Sequence, residues 1–71
     1  MALPSKSEAL ISLGSRIKAI RKEKGMSQLD LAVSVNKDYQ SIQRLERGAI
    51  NPSYCYLLEI CEGLRIKLSD L

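Results

Sequence analysis

SQLDLAVSVNKDYQSIQRLERG, residues 27–48, reads as two short helices separated by a three-residue turn. Ser27 with Asp30 three residues later is a helix start: the hydroxyl accepts from a free backbone N–H, and the acid reaches back to the cap. Leu29, Ala32 and Val33 supply the buried stripe of a helix running from Gln28 to Val35. Asn36, one of the few residues that tolerates the left-handed backbone, stops it. Asp38 then offers a carboxylate cap to a second helix, Tyr39 to about Arg47, with Ile42 and Leu45 facing inward. Gly48 ends that helix.

The flanking sequence adds helices on both sides. Leu10, Leu13, Ile17 and Ile20 recur at helical spacing, and Gly25 follows a basic last turn that complements the helix dipole. The first dozen residues hold Pro4 and several Ser, and read as residues 1–12, an N-terminal arm and the start of the first helix, ahead of a domain spanning 13–71. Beyond the loop Ala49 to Pro52, Ser53 caps a fourth helix whose apolar positions are Tyr54, Leu57, Leu58 and Cys61, and Gly63 weakens its end. Leu64, Ile66, Leu68 and Leu71 alternate as a strand would, but no second strand exists to pair with them. A linker into a last short helix from Lys67 or Leu68 fits better. The fold class is therefore all-α, a compact four- to five-helix bundle.

Composition narrows the chemistry. The chain has 71 residues, 11 Lys+Arg against 8 Asp+Glu, and no His, Trp or Phe. A chain of this size buries only about 60% of its unfolded surface, which leaves little room for an enclosed substrate cleft. Without His, the commonest general base and the commonest metal ligand are both missing, and no nucleophile and base pair can be named. The expectation is a protein that is not an enzyme, with no metal and no cofactor. Cys55 and Cys61 are six apart, on different faces of a helix, and read as small buried hydrophobes in a reducing compartment. No apolar run approaches a membrane span and the N-terminus lacks a signal core, so the expected location is cytoplasmic. Six of the basic residues fall within the first 24, against two acids, so the positive end is the N-terminal third. Such a patch suits a polyanion, because neutralising phosphates releases counterions.

Two helices joined by so short a turn have the dimensions of a helix-turn-helix. The stretch SQLDLAVSVNKDYQSIQRLERGAINPS resembles the helix-turn-helix of the phage repressor and Cro family, the Xre-like bacterial regulators, in its SQ, LA, Ile42, LERG and NPS at fixed offsets. LLEICEGLRIKLSDL continues the resemblance into that family's fourth helix and the start of its fifth, so that residues 13–71 are covered without a gap. The resemblance implies a lambda-repressor-like fold and a transcriptional regulator, a repressor binding double-stranded DNA as a homodimer on a palindromic operator. It also admits an antitoxin, with a toxin or other protein as partner, and a protein-interaction module that has lost DNA binding.

Within that family the third helix lies in the major groove and the second crosses the backbone. Carried onto this chain, the base-contacting residues are Tyr39, Gln40, Ser41, Gln43 and Arg44; Gln pairs bidentately with adenine and Arg with guanine. The phosphate-contacting residues are Gln28 and Arg47, with Arg16 and Lys37 behind them. Arg21 and Glu46 match positions that form an ion pair between the first helix and the end of the third. Ala32 must be small where the two helices of the motif cross, and Leu29, Ile42 and Leu45 lock that crossing. Lys37 departs from the family's small buried aliphatic, and must snorkel or leave the turn underpacked. Gly63 and Arg65 depart from the commoner Ala and Gly at the end of the fourth helix.

Overall fold

Ser5 and Glu8 start the first helix earlier than the apolar stripe predicts. In the computed structural model, which describes residues 3–71, Ser5 Oγ accepts from the Glu8 N–H at 3.1 Å and Glu8 Oε1 from the Ser5 N–H at 3.2 Å. This reciprocal capping box opens α1, Lys6–Glu23, so the arm is shorter than the sequence reading has it. Met1 and Ala2 lie outside the described residues. Then follow α2, Gln28–Ser34, α3, Tyr39–Arg47, and α4, Tyr54–Leu64, with a single 3-10 turn, Leu68–Asp70, in place of a fifth α-helix.

Serine hydroxyls cap three of these helices: Ser5 on α1, Ser27 on α2 with Asp30 closing the box, and Ser53 on α4. At the start of α3 the expectation fails, since Asp38 occupies the cap position but its side chain makes no capping hydrogen bond. All four helices end alike, on one left-handed residue: Gly25, Asn36, Gly48 and Arg65, at φ of 69°, 54°, 78° and 58°. In each case the next residue's N–H reaches back five positions, Met26 to Arg21, Lys37 to Ala32, Ala49 to Arg44 and Ile66 to Cys61, at 2.8–3.1 Å. This closure satisfies carbonyls the helix end would otherwise leave free.

The core gathers Ile17 and Ile20 of α1, Leu31 and Ala32 of α2, Ile42 and Leu45 of α3, and Ile60 and Leu64 of α4. Two of the predicted stripes are rotated. On α2, Leu29 and Val33 are 57% and 73% exposed, so Leu29 does not lock the crossing, whereas Leu31 is wholly buried beside Ala32. The inward positions are the buried Leu31 and Ala32 flanked by the half-buried Gln28 and Val35, a complete helical stripe whose first member is polar and so disguised. On α4, Tyr54 and Leu58 point outward and the stripe is Leu57, Ile60, Cys61 and Leu64. Cys55 is exposed, contrary to the expectation for it, and both cysteines are free.

Two glycines set how closely helices approach. A Cβ on Gly14, in the middle of α1, would stand 2.5 Å from the backbone carbonyl oxygens of both Leu45 and Glu46 on α3. A Cβ on Gly63 would collide with Val35 Cγ1, which explains why this chain has no Ala there: α4 passes too near the end of α2. Among the described residues no helix is long and apolar enough to cross a membrane.

These contacts predict unequal costs for similar changes. Gly14→Ala must push α1 off the α3 backbone and should cost about 2 kcal/mol or more, roughly 10 °C in Tm. Gly25→Ala, with open space around the new carbon, should cost only the left-handed backbone, about 1 kcal/mol. Equal melting temperatures for the two variants would contradict the close crossing.

The capping boxes predict a pH dependence. Hydrogen bonds from Ser27 hold the Asp30 carboxyl below its ordinary value, and those from Ser5 do the same for Glu8. A carboxyl whose folded pKa is depressed stabilises the fold above its unfolded pKa of about 4, and that contribution is lost as pH falls through the folded value. Melting curves between neutral pH and pH 2 should show Tm falling with acidity. Ser27→Ala should lower Tm at neutral pH and flatten that decline.

Candidate nucleic-acid interface

Arg21, near the end of α1, points its guanidinium into the angle between three helices. Its Nε donates to Glu46 Oε2 at 2.6 Å and its Nη2 to Glu46 Oε1 at 2.9 Å, a bidentate pair with the last turn of α3. The remaining nitrogen, Nη1, donates to the Met26 carbonyl at 2.7 Å, in the connection before α2. Gln28 Nε2, at the start of α2, donates to Glu46 Oε1 at 3.1 Å. Arg21 and Glu46 are both buried, and Glu46 holds the guanidinium more firmly charged than usual. The pair therefore fixes three helix ends against one another, with all three guanidinium nitrogens engaged.

Around this node the outer faces of α1, α2 and α3 meet. Lys18, Gln28, Gln43, Glu46 and Arg47 line a shallow cleft of about 340 Å³, with the buried carboxylate at its floor and two cations at its rim. Lys18 is missing from the sequence reading. The signal was present: a residue three positions before Arg21 shares its face of the helix, so once Arg21 is directed at α3, Lys18 flanks the same surface. From the cleft the exposed side of α3 continues through Tyr39, Gln40, Arg44 and Arg47. Gln43 is half-buried at the cleft edge.

The other expected contact residues are placed differently. Ser41 is half-buried and acts on the Tyr56 phenol of α4, lowering a pKa that burial raises more strongly. Arg16 donates from Nε and Nη2 to the Asp70 carbonyl at 3.3 and 3.0 Å, bracing the C-terminal turn against α1. Lys37 snorkels towards α4, where its Nζ lies 3.3 Å from Glu59 Oε1 and 4.3 Å from the centre of the Tyr56 ring. The structure thus assembles Gln28, Gln43 and Arg47 with Lys18, and turns Arg16 and Lys37 inward upon the fold. Among the described residues no three Cys, Asp or Glu side chains gather into a group that would hold a metal ion.

Two short helices crossing at a small Ala32, a three-residue turn, and a polar outer face on the second helix define a helix-turn-helix protein. The chain belongs to the helix-turn-helix family, whose model matches residues 17–71. It is 37% identical over 61 residues to the immunity repressor protein of Bacillus phage phi105, a match covering 86% of this chain and 42% of the repressor, so the chain spans less than half of that relative. Among solved structures it is similar to the restriction-modification controller protein C.AhdI from Aeromonas hydrophila, with a TM-score of 0.85 and 31% identity over 87% of this chain and 94% of that one. It is also similar to the controller protein C.Esp1396I, solved as a tetramer in complex with its natural 35 base-pair operator, with a TM-score of 0.80 and 38% identity over 84% of this chain and 79% of that one.

The node predicts a large effect of breaking one partner and a small one of replacing both. Glu46→Ala leaves a buried guanidinium uncompensated and should cost about 3 kcal/mol, the lower end for such pairs because the node lies close beneath the surface. Replacing Arg21 by Met and Glu46 by Ala together should cost clearly less than the single changes Arg21→Met and Glu46→Ala added. Chemical denaturation of the three variants measures the difference, and strict additivity would mean that the pair is not coupled.

Proposed function

We propose that this protein is a sequence-specific, double-stranded-DNA-binding transcriptional regulator, a repressor that occupies a palindromic operator as a homodimer, with residues 13–71 as the DNA-binding unit. The observation that carries the reading is the outer face of α3, where Tyr39, Gln40 and Arg44 stand exposed beside a cleft rimmed by Lys18 and Arg47. The operator-bound relative supports it.

In this reading α3 enters the major groove with Tyr39, Gln40, Gln43 and Arg44 towards base edges, and Gln40 and Arg44 select sequence. A good bidentate pair discriminates by about 1–3 kcal/mol. Arg47, Lys18 and the amide of Gln28 hold backbone phosphates. Gln28 gives one amide hydrogen to Glu46 and has its second free for an oxygen, so the node that fixes the helices also aims this donor. The mechanism is occupancy, with salt-dependent affinity from the cations and specificity from α3. Tyr54 and Leu58, exposed one turn apart on α4, offer the apolar surface for a second copy, whose reading helix would lie about 34–36 Å away, one turn of the duplex.

Selection from a randomised duplex library at two salt concentrations tests this reading. A palindromic motif with two half-sites is the expected result; salt-dependent binding without a motif would point to a protein partner instead. On the selected operator, Arg44→Ala should relax preference at one base pair. Arg47→Ala and Lys18→Ala should each weaken specific and random duplexes alike and make the salt dependence shallower by about one charge.

A further inference from the structure

The start of α3 is held differently from the start of the other helices. Ser5, Ser27 and Ser53 each cap their helix through a hydroxyl, but Asp38 makes no such bond. Yet the residues just beyond Asp38, Tyr39 and Gln40, are the ones whose placement a base-reading face depends on most. From the turn just before Asp38, Lys37 reaches across to another part of the fold. Its side chain is only 17% exposed, and its ammonium sits between Glu59 Oε1 and the face of Tyr56, both on α4. The Tyr56 hydroxyl is buried beside Ser41 of α3 but makes no hydrogen bond among the described residues, and the ring lies under the Lys37 cation. The family resemblance has a small aliphatic residue here; this chain has a strut.

We propose that Lys37 is a positioning residue for DNA recognition, its ammonium clamped by Glu59 and the Tyr56 ring so that the turn before α3 is fastened to α4 and the base-facing residues Tyr39 and Gln40 are held in register. This rests on the DNA-binding reading above and deepens it. The alternative role for a lysine at this place is a phosphate contact. The two differ in a way that charge alone decides: a phosphate-contacting lysine is hindered by a nearby acid, whereas a strut needs it. Loss of Glu59 must therefore damage recognition in one case and improve binding in the other.

The test compares Lys37→Met, Lys37→Arg, Glu59→Ala, the double variant Lys37→Met with Glu59→Ala, and Tyr56→Phe. Methionine has the length and polarity to fill the aliphatic position, so the fold should survive. Binding is measured to the selected operator and to a random duplex of equal length over a salt series, and exchange of the Ile42 amide, which donates to the Asp38 carbonyl, is followed without DNA. Lys37→Met and Glu59→Ala should each lower the ratio of operator to random affinity about three- to tenfold. The double variant should fall no further than either single change. Random-duplex affinity and salt slope should hold for Lys37→Met, while Lys37→Arg and Tyr56→Phe, which keep cation and ring, should retain the ratio. Equal weakening on both duplexes by Lys37→Met with a shallower slope, together with tighter binding by Glu59→Ala, would overturn the strut in favour of a phosphate contact. An unchanged ratio in both would overturn it too. Should the unmodified protein bind neither duplex at low salt, it is the DNA-binding reading that fails. The clamp is then judged on Ile42 exchange alone: faster in both single variants supports it, unchanged refutes it.

Discussion

One guanidinium holds the helix-turn-helix in place. Arg21 gives two of its donors to Glu46 and a third to the Met26 carbonyl, while Gln28 adds its amide to the same carboxylate, so α1, the connection before α2, and the last turn of α3 meet at one buried charge pair. A hydrophobic core of eight residues sets which faces of the helices touch but resists rotation and sliding weakly, because dispersion and burial have little direction. The ion pair has direction. Gly14 supplies the matching constraint on distance, allowing the α1 helix to rest directly on the carbonyls of Leu45 and Glu46. Direction from the one and distance from the other place α3 with its polar side outward.

The same geometry explains why the cationic surface is more selective than the charge distribution suggests. The N-terminal third of the chain is rich in Lys and Arg, but the fold employs them for different ends. Arg21 is buried in the node, Arg16 braces the C-terminal turn, and Lys18 stands at the rim of the cleft beside Arg47. Charge counting locates a basic region; only the helix phase and the partners of each cation separate structural from solvent-facing ones.

Most of the architecture was legible because its punctuation is chemical: Ser27 with Asp30, Ser53, Asn36, Gly25 and Gly48 each do locally what their side chains dictate. The misreadings have a common cause. In a helix of seven residues two overlapping stripes fit the same spacing, and the choice between them on α2 turned on Gln28, a polar residue occupying an inward position because Glu46 awaits it. Leu29 and Val33 are apolar yet exposed, and Leu58 misled in the same way on α4. Gly14 carried no local signal at all, since its reason lies on another helix. For the candidate site, the exposed placement of Tyr39, Gln40 and Arg44 on α3 followed from the family resemblance. Ser41, Arg16 and Lys37 did not, because their partners Tyr56, Asp70 and Glu59 are distant in sequence and nothing near them in the chain announces the contact.

The repeated helix ending has a bearing on how such a protein changes over generations. Each of the four helices closes on a single left-handed residue whose neighbour bonds back into the last turn, and the next element begins within a few residues. Adding or deleting one residue within a helix turns everything beyond it by about 100°. With closures this tight the connections have no slack to absorb that rotation, so a length change upstream of Arg44 would swing the outer face of α3 out of line with Lys18 and the Arg21 node. Side chains on that face face no such restriction, since nothing in the core leans on Gln40 or Arg44. Exchange of side chains at fixed length therefore leaves the geometry of that face intact, whereas a change of length between α1 and Arg44 does not.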